Sequence, residues 1–371
     1  MKIINRRTFL MHTFDLGIRC SCFSLIFYPN LTKQNAFALD LKEEHKKEKL
    51  AKYTFNFSSP YFTSNYKTTP HAHMEIKRLV EEYTKNNVYV KIHDGGINGI
   101  GTILSNKVRF GFSQGALLSV SNLTPMVKEL DVLNIPFWSS NESEYIRLFN
   151  SQAWNKYVLS KTKKYNLHVL FPYIVGARTA TTTKKYKKLI KSPEDFVDVR
   201  FRVPGSNCLA IFYELAKAKP VNIAWKNCAK TARSGRFQAL DPSIAGLYAG
   251  PDNLRDQIGI ISEIESVHDG WVAIGNIDFI ESLDHKTRIQ FLDAFKEIQD
   301  VQLQLFKGSK AYCIKKFEKL GVKIYVPTKE EKEVLVKAFG HQHPAWNSIK
   351  KKLLGDNGMA IFDELYKIAK G

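Results

Sequence analysis

Apolar positions in the first third of the chain follow two different spacings. In residues 53–57, 88–92 and 108–112 they occur at every second position, which predicts three strands. In residues 74–85 they share one face of a helix. Because strands and helices alternate, this region predicts a largely parallel α/β sheet.

A second α/β region begins near Gly176. Ser192 and Pro193 have the order of a helix cap and a first helical residue, so they predict a short helix. Gly235 is expected to end a helix. The predicted strands of this region cover residues 199–203 and 220–223, and its longer helices cover residues 207–217 and 226–233.

The longest helical pattern covers residues 286–320 and could connect two lobes. Its apolar side chains keep a helical period throughout, and Gly308 is a candidate bend. The pattern then predicts a strand at 323–326, a helix capped by Thr328 that reaches residue 337, and a last helix at 359–370.

Residues 1–38 have the pattern of an export signal. Asn5-Arg6-Arg7-Thr8-Phe9-Leu10 resembles a twin-arginine motif, and Ala36-Phe37-Ala38 fits a cleavage site. An ordinary basic N-terminus is the alternative, because Asp15 and Arg19 interrupt the apolar stretch between them. We expect removal after Ala38 and a periplasmic location, with residues 39–52 as a flexible, charged lead-in.

The chain has 371 residues, 44% of them hydrophobic, and a formal net charge of +19. No run approaches the roughly 20 apolar residues of a membrane span, so the mature protein is expected to be soluble. The densest basic cluster, residues 184–188, contains a single aromatic and no nucleic-acid motif frames it. We therefore interpret the charge as a solvated face that favours anionic ligands, and we expect no nucleic acid as a partner.

Cysteine and histidine spacing predicts no metal or cofactor. Cys208, Cys228 and Cys313 fit neither a zinc site nor a redox pair. They are expected to be free and buried, and at most one disulfide among them is the alternative. Two H-x-H pairs, residues 71–73 and 341–343, lack a third ligand at suitable spacing, which favours surface or capping histidines.

The remaining motifs predict loop and core segments and do not indicate a catalytic site. The glycine-rich residues 95–101 depart from G-x-G-x-x-G, and the strand predicted at 108–112 leaves little room for a helix. We therefore expect a flexible loop, which could line a cleft. Residues 130–138 are expected to form a core strand with an aromatic lid. Since no nucleophile motif is present, we do not predict an enzyme.

Two arginines lie beside strand-like runs. Arg178 follows Val175-Gly176-Ala177, and Arg202 lies within Arg200-Phe201-Arg202-Val203-Pro204. A guanidinium is a planar fork that suits a carboxylate, so both could point into one cleft. A structural ion pair is the alternative for either arginine.

From residue 53 to the C-terminus, these segments resemble the DctP-type solute-binding receptors of TRAP (tripartite ATP-independent periplasmic) transporters. The Pro136-Phe137 pair, the R-V-P strand at Arg202, and the long helix after Lys286 all have counterparts in that family. Further segments that carry the resemblance are Ser192-Pro193-Glu194-Asp195-Phe196 and Lys219-Pro220-Val221-Asn222-Ile223-Ala224-Trp225.

The resemblance implies a two-lobed α/β fold, like a periplasmic binding protein or Venus flytrap, with a lobe-spanning helix. It implies lobe 1 from residues 53–175 plus about 260–300, and lobe 2 from residues 176–259 plus about 301–371. It also implies capture of an organic acid and delivery to a membrane permease, as a monomer or dimer.

The resemblance assigns roles to single residues. Arg202 is expected to make the two-pronged contact with a carboxylate, Arg178 to assist it, and Trp225 to stack on the carbon skeleton. Asp241, where many members have a glutamate near the ligand, and Gln238, in the adjoining family segment, are further expected ligand-binding residues. Gln114 is expected to add a contact from the first lobe when the lobes close.

The chain also departs from the family pattern. Asn227 and Gln238 stand where the family usually has acidic residues, and Lys217 stands where it often has glycine. The alternative is therefore a binding protein for a non-acid ligand, or a sensory receptor of the same fold.

Overall fold

The computed structural model describes residues 40–65, 72–139 and 141–371. By internal contacts the chain divides into residues 1–46 and residues 47–371, and the sheets and cavities below belong to the second unit. The twin-arginine motif, the cleavage site and His71 lie outside the described residues.

The first sheet has the strand order β2-β1-β3-β10-β4. β1 pairs in parallel with β2 and β3, as the alternation of elements predicts, whereas β10 runs antiparallel to β3 and β4. The sheet is therefore mixed. Its strands are β1 (Tyr53–Ser58), β2 (Val88–His93), β3 (Gly115–Ser119), β4 (Leu167–Ala177) and β10 (His268–Asn276).

The second sheet has the strand order β11-β9-β5-β8-β6-β7. β6 pairs in parallel with β7 and β8, while β5 runs antiparallel to β8 and β9. Its strands are β5 (Ala180–Thr183), β6 (Arg200–Val203), β7 (Lys219–Asn222), β8 (Ala239–Leu240), β9 (Ile258–Ser262) and β11 (Lys323–Tyr325).

Helices connect most of the strands of both sheets. None of those in the described part of the chain is long and apolar enough to cross a membrane. They are α1 (Leu41–Leu50), α2 (Ala72–Tyr83), α3 (Thr102–Arg109), α4 (Glu142–Phe149), α5 (Gln152–Tyr157), α6 (Asn207–Leu215), α7 (Cys228–Ser234), α8 (Ile244–Tyr248), α9 (Ile277–Ser282), α10 (His285–Lys319), α11 (Lys329–Phe339), α12 (Ala345–Leu354) and α13 (Gly358–Lys370).

The long helix predicted at 286–320 is confirmed as α10, which has 35 residues. Asp284 caps its first turn by accepting a hydrogen bond from the backbone N–H of Thr287 at 3.0 Å. Phe291 packs in the core of the first sheet and Phe317 in the core beside the second. One helix thus stabilises both halves of the fold.

Local signals located several helix ends correctly. Ser192 and Thr328 each begin a capping box, and Gly235 ends α7 with φ 77°. The three cysteines at 208, 228 and 313 are free and buried, as expected.

The strand predicted at 108–112 is wrong. Residues 108 and 109 belong to α3 and residues 110–114 form a turn. The helix forms because Leu104 and Val108 lie four residues apart and are both fully buried on one helix face. Phe110 and Phe112, which the strand pattern placed inside, are 63% and 79% exposed. The strand β3 begins only at Gly115.

Two further local predictions are wrong. The lead-in expected to be flexible contains α1, whose Asp40 carboxylate accepts from the backbone of Lys42 at 2.9 Å. The strand expected at 130–138 is a 3₁₀ helix over Lys128–Asn134, although its role in the core is confirmed. Leu133 is buried, and its carbonyl accepts a hydrogen bond from the Trp138 indole at 3.0 Å.

The C-terminal helix α13 packs against α4. Lys370 forms an ion pair with Glu144 at 2.7 Å, and Arg147 Nη1 donates to the carbonyl of Ala369 at 2.5 Å. The family resemblance places α4 in lobe 1 and α13 in lobe 2, so residues of the two predicted lobes are in contact here. The exact lobe boundaries stay a prediction.

Candidate functional site

A cavity of about 300 Å³ lies where parallel strands of both sheets end. Its wall includes Tyr61 just after β1, Ser121 just after β3, and Ile223 just after β7. The carboxyl ends of parallel strands are the usual position of ligand sites in α/β folds. Most other lining side chains are apolar, among them Ile100, Leu118 and Trp271.

Arg202 on β6 lies in the wall of this cavity and is only 4% exposed. Its Nε donates to the carbonyl of Ile223 at 2.9 Å, which holds the side chain in place. Among the described residues, no acceptor binds its two terminal nitrogens. The guanidinium therefore presents an unpaired fork to the cavity, a geometry suited to a carboxylate.

Trp225 shares the cavity wall with Arg202. Its ring centroid is 5.4 Å from the Arg202 guanidinium carbon, within the range of a cation–π contact. The 3₁₀ helix Trp225–Asn227 that follows β7 positions the ring. The structure thus brings together two of the residues expected at the site.

Arg178 also lies in the wall but is already paired. Its Nη1 is 3.0 Å from Asp241 and its Nη2 is 2.7 Å from Asp269. Burial lowers the pKa of Arg178, but the two carboxylates outweigh that effect and raise it. Both of its terminal nitrogens are occupied, as the structural alternative required.

Asp241 forms its ion pair with Arg178 on the side away from the cavity. It is fully buried, and the Tyr213 hydroxyl donates to it at 3.3 Å. Burial, followed by the charge of Asp241, raises the pKa of Tyr213 well above its ordinary value. Asp241 is not among the residues that line the cavity.

The structure does not bring Gln238 or Gln114 to the cavity. Gln238 accepts from the backbone N–H of Arg200 at 3.0 Å, at the start of β6. Gln114 accepts from the Asn56 side chain at 2.7 Å, before β3. Each amide stabilises a strand end.

Sequence reasoning missed Asp269, Tyr61 and Ser121, which all line the cavity. Asp269 lies on β10, and burial raises its pKa while Arg178 lowers it. Burial also raises the pKa of Tyr61 well above its ordinary value, and Asp269 contributes to that rise. Ser121 is 1% exposed, and its hydroxyl has no hydrogen-bond partner among the described residues. No motif marks any of the three.

A wider cavity of about 710 Å³ shares Tyr61, Ile100 and Trp225 with the first. Gly95 and Gly99 contribute to its wall, so the glycine-rich loop does line a cleft, which the sequence left open. We call this second cavity the vestibule.

One serine–histidine pair has the spacing of a nucleophile and a base. Ser59 Oγ and His73 Nε2 are 2.6 Å apart. Both residues are buried, at 0% and 1% exposure, and neither lines the cavity. The pair does not face a ligand bound there.

The family model described as "Bacterial extracellular solute-binding protein, family 7" (DctP) matches residues 61–349. No curated protein matches the chain significantly.

Solved structures show the same fold. A TRAP periplasmic solute-binding protein from Sulfurospirillum deleyianum with bound succinate has 17% identity and a TM-score of 0.75, covering 86% of this chain and 100% of its own. The sugar acid binding protein DctPAm from Advenella mimigardefordensis with galactonate has 16% identity and a TM-score of 0.76, covering 85% and 97%. A TRAP periplasmic solute-binding protein from Anaerococcus prevotii with D-glucuronate has 16% identity and a TM-score of 0.74, covering 86% and 98%.

These solved proteins are similar to the chain in fold, with two α/β lobes around a ligand. The family model covers most of the chain, from the end of β1 into α12. The protein therefore belongs to the DctP family of bacterial extracellular solute-binding proteins, the solute receptors of TRAP transporters.

Proposed function

We propose that this receptor captures an organic acid by placing its carboxylate on Arg202 and then delivers it to a membrane permease. The observation that carries the proposal is the unpaired guanidinium fork of Arg202 in the wall of a largely apolar cavity. Because the bond to Ile223 already fixes Nε, little side-chain entropy is lost when a ligand binds.

Charge and enclosure supply the affinity. A hydrogen bond to a charged group contributes about 1.5–3 kcal/mol, and a bidentate carboxylate makes two of them. Trp225 offers a flat apolar face for the carbon skeleton. Closure of the lobes excludes water, so the ligand shifts the equilibrium toward the closed form by its higher affinity for that form.

The solved relatives support a carboxylate ligand. Galactonate and D-glucuronate each carry one carboxylate, and succinate carries two. The position of Arg202 in an R-V-P strand, as the family has it, supports the same role.

The test is the binding of organic acids by Arg202→Ala and by a matched control, Arg200→Ala. Arg200 lies on the same strand but is exposed and bonds to the carbonyls of Gly235 and Arg236 outside the cavity. Calorimetry should show that Arg202→Ala weakens binding about 10²–10⁴-fold, which corresponds to two lost charged hydrogen bonds. Arg200→Ala should bind like the wild type. Equal affinities in wild type and Arg202→Ala would refute the assignment.

We also propose export to the periplasm. The support is the Arg6-Arg7 motif, the Ala36-Phe37-Ala38 site and membership of a family described as extracellular. Fractionation of cells should recover a shortened protein in the periplasm. A full-length cytoplasmic protein would contradict this.

A receptor for a non-acid ligand is the second candidate. The observation that favours it is the pairing of Arg178 with Asp241 and Asp269, which leaves one uncommitted arginine in the cavity wall. Tight binding of neutral polyols together with no binding of carboxylates would favour this function.

A further inference from the structure

The buried charges at the cavity cancel. Arg178 and Arg202 supply two positive charges, and Asp241 and Asp269 supply two negative ones. Lys226 is exposed and lies where the cavity meets the vestibule, so water screens its charge. When one carboxylate binds Arg202, no other enclosed cation among the described residues that line the cavity remains uncommitted for a second one.

Asp269 is the acid that a ligand can reach. It is 7% exposed and lines the cavity, whereas Asp241 is fully buried behind Arg178. Its Oδ1 binds Arg178. Its Oδ2 lies 4.0 Å from where a Cβ on Gly246 would be, and Gly246 also lines the cavity. Gly246 is closely packed here, since a Cβ on it would lie 3.2 Å from the Ser243 hydroxyl, so Asp269 faces the cavity beside a glycine that no larger residue replaces without displacing Ser243.

We infer that Asp269 determines specificity: it selects monocarboxylates that carry a hydroxyl or ammonium group at their far end and rejects dicarboxylates. The inference rests on the proposed function, because it requires the first carboxylate to bind Arg202. A hydroxyl or ammonium donates to the Asp269 carboxylate, whereas a second carboxylate faces a like charge in an enclosed site.

The experiment compares acids of equal length that differ only at the far end. Butyrate, 4-hydroxybutyrate, 4-aminobutyrate and succinate form one series, and 6-hydroxyhexanoate with adipate and gluconate with glucarate form longer pairs. Calorimetry on the full mature protein should rank each hydroxy or amino acid at least tenfold above its dicarboxylate. This ranking needs no variant, so it does not depend on how a substitution affects folding.

Asp269→Asn then tests the residue itself. An amide still accepts from a hydroxyl but carries no charge, so dicarboxylate binding should improve about tenfold. Binding of the amino acid should weaken at least tenfold, and binding of the hydroxy acid should change little. Asp252→Asn is the matched control, because it removes the same charge from the exposed rim of the vestibule.

Three results would overturn the inference in distinguishable ways. Dicarboxylates that bind wild type as tightly as hydroxy acids would remove the selectivity but leave the carboxylate on Arg202. An equal gain for dicarboxylates in Asp252→Asn would show that general charge, and not Asp269, sets the preference. If no carboxylate binds wild type at all, the proposed function fails and the inference fails with it.

Discussion

Replacing Arg178 with methionine should destabilise the protein more than replacing any exposed arginine. The side chain is 3% exposed and pairs with two carboxylates, which are 0% and 7% exposed. Methionine fills a similar volume but leaves both carboxylates buried without a cation. Removal of one partner from a buried ion pair costs about 3–5 kcal/mol. That is a large share of a typical folding free energy of about 5–15 kcal/mol.

The assay is urea unfolding followed by circular dichroism and tryptophan fluorescence. The triple variant Arg178→Met, Asp241→Asn, Asp269→Asn removes all three charges and should recover most of the loss, because no unpaired charge remains buried. The pH dependence gives a second readout. An unpaired buried carboxylate has a raised pKa in the folded state, so it destabilises the fold above that pKa. The deficit of the single variant should therefore narrow as the pH falls through that pKa.

A single variant as stable as wild type would refute the reasoning that Arg178 is chiefly structural. A triple variant no more stable than the single one would refute the role of unpaired charge. Because Arg178 is already paired, we also expect its loss to weaken ligand binding less than Arg202→Ala does.

The remaining predictions concern Trp225 and Asp284. Trp225→Ala should weaken organic-acid binding about 5–30-fold, because the carbon skeleton loses roughly 40–80 Å² of apolar contact at about 25 cal/mol per Å², or about 1–2 kcal/mol, and Trp225→Phe should lose less. Calorimetry that shows unchanged affinity would contradict this. The backbone N–H of Thr287, followed by its hydroxyl, lowers the pKa of Asp284 from 3.8 to about 2. The stability that Asp284 contributes is thus complete above 3.8 and lost as the pH falls toward 2. Asp284→Asn should keep the α10 cap but reduce the loss of unfolding free energy between about pH 4 and pH 2. Asp284→Ala should also lower the urea midpoint at pH 7. The same loss of stability at acid pH in wild type and Asp284→Asn would contradict this prediction.

Short-range sequence signals predicted the starts and ends of several helices correctly. The capping boxes at Ser192 and Thr328, the glycine at the end of α7 and the period of α10 involve residues within one or two helical turns. Such interactions are local, so the sequence pattern predicts them directly.

Pattern reasoning failed where burial depended on distant segments. The alternation at residues 108–112 resembles a strand, but α3 packs Leu104 and Val108 inward and leaves Phe110 exposed. The central strand β10 was not predicted at all, although all nine of its residues are buried. A strand buried on both faces shows no alternation, so its period carries no signal.

The sequence by itself determined the family, the R-V-P strand and Arg202 as the principal candidate for a carboxylate. Only the tertiary structure decided how the two arginines differ. Arg178 forms ion pairs with Asp241 and Asp269, which lie 63 and 91 residues away in the sequence. Arg202 donates only one hydrogen bond, from Nε to the Ile223 carbonyl 21 residues away. The sequence alone does not distinguish the two guanidinium groups, because both carry the same charge and the same donors. Which of them keeps its terminal nitrogens unpaired depends on contacts that form only when distant strands pack together.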